Sequence, residues 1–191
     1  MTTFEFYFSF FGLLLGLSVA EVASGLARML RARDRVRLGL LTPLLGVLVL
    51  LDVSSFWVIA WRSLQDVPIS HLTIYTGLVV ALAYYVAAAV VFPTDPERWT
   101  TLDDYYDGHK RWVVGGILFS NAVGFGTRLA SGLAVDFNPF EIGLTAVFFG
   151  VLVALLFVRN RRANAVLLAL HCATNLVLVL ESAAARAPVA G

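Results

Sequence analysis

Residues 28–37 read RMLRARDRVR, a run that places five arginines between two long apolar stretches. Positive side chains in the short loops of membrane proteins stay on the cytoplasmic side of the bilayer. This run therefore predicts a multi-pass membrane protein, and it fixes the direction of every helix that follows.

The composition argues against a water-soluble domain. Of the 191 residues, 59% are hydrophobic and 14% are charged, whereas soluble domains carry about 25% charged residues. The net charge of +1 argues against nucleic-acid binding, which requires a strongly basic face. Cys172 is the only cysteine, so no intrachain disulfide can form. Almost every basic residue is arginine, which is typical of a GC-rich bacterial genome.

Six apolar runs are long enough to cross a bilayer, which takes roughly 20 residues. Pro93, Pro139 and the charged segment 159–162 separate several of them at places where a helix is expected to stop. The pattern predicts an all-α bundle of six transmembrane helices in a single domain over residues 1–191, with spans near 5–27, 38–61, 71–92, 111–133, 140–158 and 163–183.

Basic residues are distributed unevenly between the loops. Segments 28–37, 93–111 and 159–162 hold eleven of the fourteen lysines and arginines. These segments are predicted to face the cytoplasm, which puts both termini on the non-cytoplasmic side of a bacterial inner membrane. The expected partners are the lipid bilayer and, because six spans are few for a transporter, further copies of the chain or a larger membrane complex.

The segment 93–110 predicts a short amphipathic helix on the cytoplasmic membrane surface. Trp99, Leu102 and Tyr106 fall at positions i, i+3 and i+7, which lie on one helix face. An ordinary polar connector that carries a few aromatic residues is the alternative.

Four ionisable side chains fall at membrane depth, where a charge is costly unless it is paired or reaches water. Glu21 and His171 lie at similar depths from the cytoplasmic end, so we expect them to form a cytoplasmic-side relay. Asp52 and Arg128 share the outer half, so we expect them to form an ion pair that acts as an outer gate.

Polar side chains on the fourth and sixth spans follow a helical spacing. Asn164, His171 and Asn175 are separated by seven and four residues, so they share a face that should point into the bundle. Asn121 and Asn175 are predicted to line the path between the relay and the gate. The alternative is that these amides only join helices by hydrogen bonds, as small residues do by close approach. The first span stacks such residues at steps of four: Gly12, Gly16, Ala20 and Ser24.

Residues 104–108 read DYYDG, which puts two carboxylates at i and i+3 on one helix face. Such a pair can hold a divalent cation against a phosphate. The string resembles the D-x-x-D-G opening of the CDP-alcohol phosphatidyltransferases, six-span enzymes of the cytoplasmic face, and this resemblance implies Asp104 and Asp107 as Mg²⁺ ligands. The second half of that signature, a glycine followed by two aspartates at four-residue steps, is absent from residues 112–135. A solvated helix face is the simpler interpretation of the two aspartates.

The linker between the third and fourth spans also resembles that of small six-span bacterial membrane proteins, a resemblance that implies no activity. The residues that carry it are Phe92, Pro93, Trp99, Leu102, Asp103, Tyr105, Tyr106, Arg111 and Trp112. No cofactor is expected, because His171 is the only deep histidine and no predicted span contains a lysine for a Schiff base.

Together these features favour transport or conduction of a proton or small ion. His171 is the expected titrating group, because only histidine changes charge near neutral pH without help from its surroundings. Two alternatives remain: an accessory or assembly subunit of a larger membrane complex, and a Mg²⁺-dependent lipid phosphotransferase-like enzyme that uses Asp104 and Asp107. The sequence contains no complete catalytic motif, so an enzyme is the less favoured class.

Overall fold

The computed structural model describes residues 3–65, 70–130 and 139–184, and regular structure in this part of the chain is helical. A short 3₁₀ turn, Pro96–Arg98, precedes the fourth helix. One backbone bridge joins Arg37 to Thr101, without a strand on either side. The predicted all-α class is confirmed. The six helices are α1 (Thr3–Ala32), α2 (Leu41–Leu64), α3 (His71–Val91), α4 (Leu102–Ala130), α5 (Pro139–Phe157) and α6 (Arg161–Ala184).

Local sequence signals explain where several helices begin. The hydroxyl of Ser70 accepts a hydrogen bond from the N–H of Thr73 at 3.2 Å and so caps α3. α5 begins at Pro139, in the first turn of a helix, where the missing N–H of proline has no cost. The side-chain oxygen of Asn160 accepts two backbone N–H groups at the start of α6. The breaks predicted at these places coincide with helix ends.

The helices differ in how well they suit a membrane. α5 contributes a shorter apolar stretch, Ile142–Phe157. Within the described residues α6 is not among the candidate spans. Four helices are long and apolar enough to cross a bilayer by length and composition: Phe4–Ala32, Leu41–Arg62, His71–Val91 and Leu102–Ala130.

The helices pack around one continuous apolar core. The most extensive contacts join α3 with α4, α1 with α3, and α2 with α6. Large apolar side chains also cover the outside of the bundle; Leu72, for example, is 75% exposed and Phe6 69%. A surface of this kind suits lipid better than water. The core includes Leu48, Val113, Ile117, Leu152, Leu155 and Leu168, all fully buried.

The segment 93–110 does not form the separate surface helix that the sequence predicts. After the 3₁₀ turn, α4 begins at Leu102 and runs without interruption into the fourth apolar run. Leu102 and Tyr106 are buried in the core, with 0% and 1% exposure. Their spacing does mark a shared face, but neighbouring helices cover that face instead of the membrane surface.

Three arginine-bearing segments meet at one end of the bundle, which we call the arginine end. Arg35 Nη1 lies 2.7 Å from Glu97 Oε1 and joins the α1–α2 loop to the 3₁₀ turn. The N–H of Leu102 donates to the carbonyl of Arg37 at 3.0 Å. Arg161, at the start of α6, binds carboxylates on α4. The basic loops identified in the sequence therefore lie together.

Gly39 allows the loop before α2 to approach α4 closely. Its φ of +61° is left-handed, and a Cβ at this position would collide with the carboxylate of Asp103. That carboxylate accepts the N–H of Leu41 at 2.9 Å, and the hydroxyl of Thr42 donates to the carbonyl of Leu102 at 2.6 Å. The first turn of α2 is thus capped by residues of α4.

Replacing Gly39 with alanine is expected to lower the free energy of unfolding by about 2 kcal/mol. The left-handed backbone alone costs an L-residue roughly 1–2 kcal/mol, and Asp103 must also withdraw from the cap. Unfolding of the purified protein in detergent measures the change. Gly115→Ala is the control, since a Cβ at Gly115 meets no atom within 4 Å. Equal losses in the two variants would contradict this account.

Candidate functional site

Asp52 lies in the middle of α2 and is only 1% exposed. Its Oδ2 accepts hydrogen bonds from the hydroxyl of Tyr84 on α3 at 2.8 Å and from the amide of Asn121 on α4 at 2.9 Å. The Asn121 amide nitrogen also lies 3.1 Å from the Tyr84 hydroxyl and 3.0 Å from the carbonyl of Ile117. Three helices therefore converge on one carboxylate.

His171 on α6 lies on the other side of this carboxylate. Its Nε2 is 3.9 Å from Asp52 Oδ1, and the side chain is fully buried. Neither ring nitrogen has a hydrogen-bond partner among the described residues. The ring packs against Phe148, with 4.5 Å between the ring centroids. We call Asp52, Tyr84, Asn121 and His171 the Asp52 cluster.

Further polar groups accompany the cluster on the same helices. Asn175 is 1% exposed and donates to the backbone carbonyl of His171 at 3.2 Å. Its Oδ1 has no partner in the described part of the chain, and neither has the hydroxyl of Ser55, one turn beyond Asp52 on α2. Buried polar atoms usually find a partner, so unpaired atoms at several neighbouring positions are unusual.

The chemistry of the cluster is that of a protonatable pair. A carboxylate and an imidazole can each bind and release a proton. Tyr84 and Asn121 donate to one carboxylate oxygen and leave the other facing His171. Asp52 Oδ1 and His171 Nε2 thus face each other at 3.9 Å without a hydrogen bond between them.

The expected pairing of Glu21 with His171 is not formed. The carboxylate of Glu21 instead lies 3.4 Å from Arg28 Nη2, two turns further along α1. The reason is the order of the helices, since α6 packs against α2 and α5 whereas α1 packs against α2 and α3. Similar depth does not bring two side chains together when their helices are not neighbours.

The expected ion pair between Asp52 and Arg128 is also not formed. Asp52 is occupied by the donors of the cluster, and the buried Nε of Arg128 has no hydrogen-bond partner among the residues that the structure describes. Asn121 and Asn175 do point into the bundle, as predicted, with Asn121 in direct contact with Asp52. Glu21, Asp52 and His171 therefore have neighbours other than those that the sequence predicts.

Asp104 and Asp107 are held by a guanidinium group. Arg161 donates to Asp104 Oδ1 at 2.5 Å and to Asp107 Oδ2 at 2.8 Å. These hydrogen bonds, first that to Asp104, raise the pKa of Arg161 above its ordinary value. No group of three or more His, Cys, Asp or Glu residues that could hold a metal occurs in the described residues. Asp104 and Asp107 therefore take part in a salt bridge between α4 and α6.

Lys110 is a buried cation that the sequence analysis left outside the spans. It lies inside α4 with 4% exposure. Its ammonium group donates to the carbonyl of Val158 and, at 2.9 Å, to Asn164 Oδ1. The same Asn164 oxygen accepts the hydroxyl of Tyr106 at 2.9 Å. Asn164 thus faces the bundle as predicted, and its partner is a lysine that the predicted span boundary of 111 excludes.

Tyr84 and Lys110 are polar groups of the interior that the sequence analysis missed. Tyr84 lies among apolar residues of α3, and no local pattern distinguishes it from an aromatic core residue. Lys110 could have been found, because residues 101–104 read TLDD, a threonine followed by aspartates that is typical of a helix start, and a helix from there continues through Lys110 into the fourth apolar run.

Comparison with known proteins gives no further assignment. No protein-family model, no curated protein and no solved structure matches this chain. Its functional interpretation therefore depends on the geometry of its own residues.

Proposed function

We propose that this chain is a six-span protein of a bacterial inner membrane that moves a proton, or a small ion coupled to a proton, through the bundle. The observation that carries the proposal is the Asp52–His171 pair. Both side chains are at most 1% exposed, they are 3.9 Å apart, and both imidazole nitrogens lack a hydrogen-bond partner in the described chain. Ionisable groups at membrane depth are expensive and commonly mark proton relays.

The distribution of charge and apolar surface supports the topology. The arginine end gathers three basic loops and belongs on the cytoplasmic side by the positive-inside rule, which leaves both termini outside. The terminal residues themselves lie outside the described ranges. α6 supports a sixth span despite its polar residues, because these are buried whereas outward positions are apolar. Exposed apolar side chains of α6 include Val166, Leu170, Leu176 and Val177.

The role that we assign to each cluster residue follows from its contacts. His171 carries the exchangeable proton, and Asp52 Oδ1 faces its Nε2. Tyr84 and Asn121 fix the carboxylate by hydrogen bonds to Oδ2, so that Oδ1 stays directed at the ring. Glu21 and Arg128, which have no part in this cluster, are not required for the proton step.

Measuring proton flux in proteoliposomes tests this function. Purified protein is reconstituted, a pH gradient is imposed, and a pH-sensitive dye inside the vesicles reports the flux. The wild type should exceed empty vesicles, and Asp52→Asn and His171→Gln should each lower the flux about a hundredfold, the typical contribution of a positioned proton-transfer group. Asp52→Asn keeps an acceptor for Tyr84 and Asn121, so its fold should survive.

Glu21→Gln is the matched control. It removes one membrane-depth carboxylate, but one that pairs with Arg28 instead of His171, and it should keep the wild-type flux. A folded Asp52→Asn variant with unchanged flux would refute the role of the pair.

An accessory or assembly subunit is the second candidate. The tight burial of Asp52, Tyr84 and His171 favours it, because a network of this kind can fix helix packing without any transport. In that case wild-type vesicles would show no more flux than empty ones, and the chain would co-purify from its native membrane with a larger complex.

A further inference from the structure

A groove of about 410 Å³ opens at the arginine end, between the first turns of α4 and the last turn of α5. Its lining includes Lys110, Arg111 and Arg159 together with the apolar side chains of Leu156 and Phe157. The groove is independent of the Asp52 cluster, since none of the four cluster residues lines it.

The groove carries an excess of positive charge. Its one acidic residue, Asp107, already binds Arg161 from outside the groove, at 2.7 Å from Nη2. Arg111 Nε donates only to a neutral acceptor, the carbonyl of Leu156, at 3.1 Å. Arg159 has no acidic partner in the described part of the chain. Two guanidinium groups are therefore available to an anion, and guanidinium binds phosphate oxygens through parallel hydrogen bonds.

Apolar surface adjoins these charges. Phe157, on the groove wall, is 72% exposed, and so is Trp112, the residue after Arg111. Aromatic side chains at a helix end that carries basic residues are typical of the level where lipid head groups meet acyl chains. A ligand that combines a phosphate with hydrocarbon would satisfy both parts of this surface, whereas a free phosphate would leave the aromatic side chains uncovered.

We infer that this groove binds the phosphate of an anionic phospholipid from the cytoplasmic leaflet, with Arg111 and Arg159 as the phosphate-binding residues and Phe157 against the acyl chains. Basic pockets between membrane helices on the cytoplasmic side are suited to anionic head groups. Lys110 is held by hydrogen bonds to Val158 and Asn164. It therefore attracts the phosphate by its positive charge more than by direct contact.

Lipid binding to the full-length purified protein tests this site. The protein is placed in nanodiscs of phosphatidylcholine with increasing amounts of phosphatidylglycerol, and retained phosphatidylglycerol is counted by native mass spectrometry. The double variant Arg111→Gln/Arg159→Gln should weaken phosphatidylglycerol retention about tenfold, because each arginine near an anionic surface contributes several-fold to affinity. Phosphatidylcholine retention should not change.

Arg33→Gln/Arg98→Gln is the matched control, because it removes two exposed arginines near the same end that do not line the groove. It should change phosphatidylglycerol retention less than twofold, given the small effect expected of screened surface charges. An equal loss of phosphatidylglycerol retention in both double variants would mean that general surface charge, and not this groove, holds the lipid. That result would overturn the proposed site. Displacement of the lipid by inorganic phosphate at equal concentration would show that the acyl chains contribute nothing, and would also overturn it.

Discussion

Replacing Asn164 with leucine is expected to lower the free energy of unfolding by about 3–5 kcal/mol. The side chain is fully buried and makes four hydrogen bonds. Its amide donates to the carbonyls of Val158 at 3.0 Å and Asn160 at 2.8 Å, and its oxygen accepts from Tyr106 and Lys110, each at 2.9 Å. Leucine would leave a buried ammonium with a single acceptor and a buried hydroxyl with none.

Unfolding of the purified protein in mixed micelles, followed as a function of denaturing detergent, measures this loss. Lys110→Met is the informative companion, because it should cost only about 1 kcal/mol or less. Without the ammonium, Val158 still receives the Asn164 amide, and the Asn164 oxygen still receives Tyr106, so no acceptor is left unpaired.

The double variant Asn164→Leu/Lys110→Met should be more stable than Asn164→Leu alone. It removes the stranded charge that makes the single substitution expensive, so the two effects are not additive. Losses that simply add would show that the ammonium and the amide act independently, and would contradict the geometry.

Replacing Gly25 with alanine is expected to lower the free energy of unfolding by about 2–3 kcal/mol, a typical cost of overpacking a filled site. A Cβ on Gly25 would lie 2.5 Å from Cδ2 and 2.9 Å from Cβ of Phe92. Phe92 is 3% exposed, and its ring tip also approaches Gly46 of α2 so closely that a Cβ there would lie 2.9 Å away. The aromatic ring is thus enclosed between two glycines and cannot easily withdraw.

Gly16→Ala on the same helix is the control, because a Cβ at Gly16 meets no atom within 4 Å. It should leave stability unchanged or raise it by up to about 1 kcal/mol, since alanine favours the helix more than glycine does. The same detergent titration measures both. Similar losses at Gly16 and Gly25 would mean that helix propensity, and not the space taken by Phe92, decides the outcome.

The sequence predicted the helices and the inward faces of several of them. Apolar runs and breakers located all six helices, and the spacing of Asn164, His171 and Asn175 correctly placed all three in the interior. These are local properties, decided by helix length and by residues on a single helix. Which small residues take part in close packing is not a local property of the sequence. Gly16 and Gly25 both lie on α1, but only Gly25 faces Phe92.

The pairing of the ionisable groups could not be predicted, because helix order is not encoded in periodicity. One part of the error was avoidable. Counted from Arg62, near the far end of α2, Asp52 falls in the outer half, but counted from the arginine end it lies eleven residues beyond Leu41, and His171 lies ten residues beyond Arg161. At 1.5 Å per residue these depths are about 16 and 15 Å. A common origin would have shown that Asp52 shares the depth of His171, as Glu21 also does at eleven residues from Ala32, so helix order alone decides between them.

The position of α6 also has a consequence for how the protein is made. This helix leaves the ribosome after α1–α5, yet it supplies His171 to Asp52, Asn164 to Lys110 and Arg161 to α4. Until α6 inserts, Asp52 on α2 lacks His171, and Lys110 on α4 lacks Asn164. Both ionisable groups then lie in a medium of low dielectric constant without these partners. We therefore expect a chain that is truncated before residue 161 to leave Asp52 and Lys110 without these partners and to be less stable than the full chain.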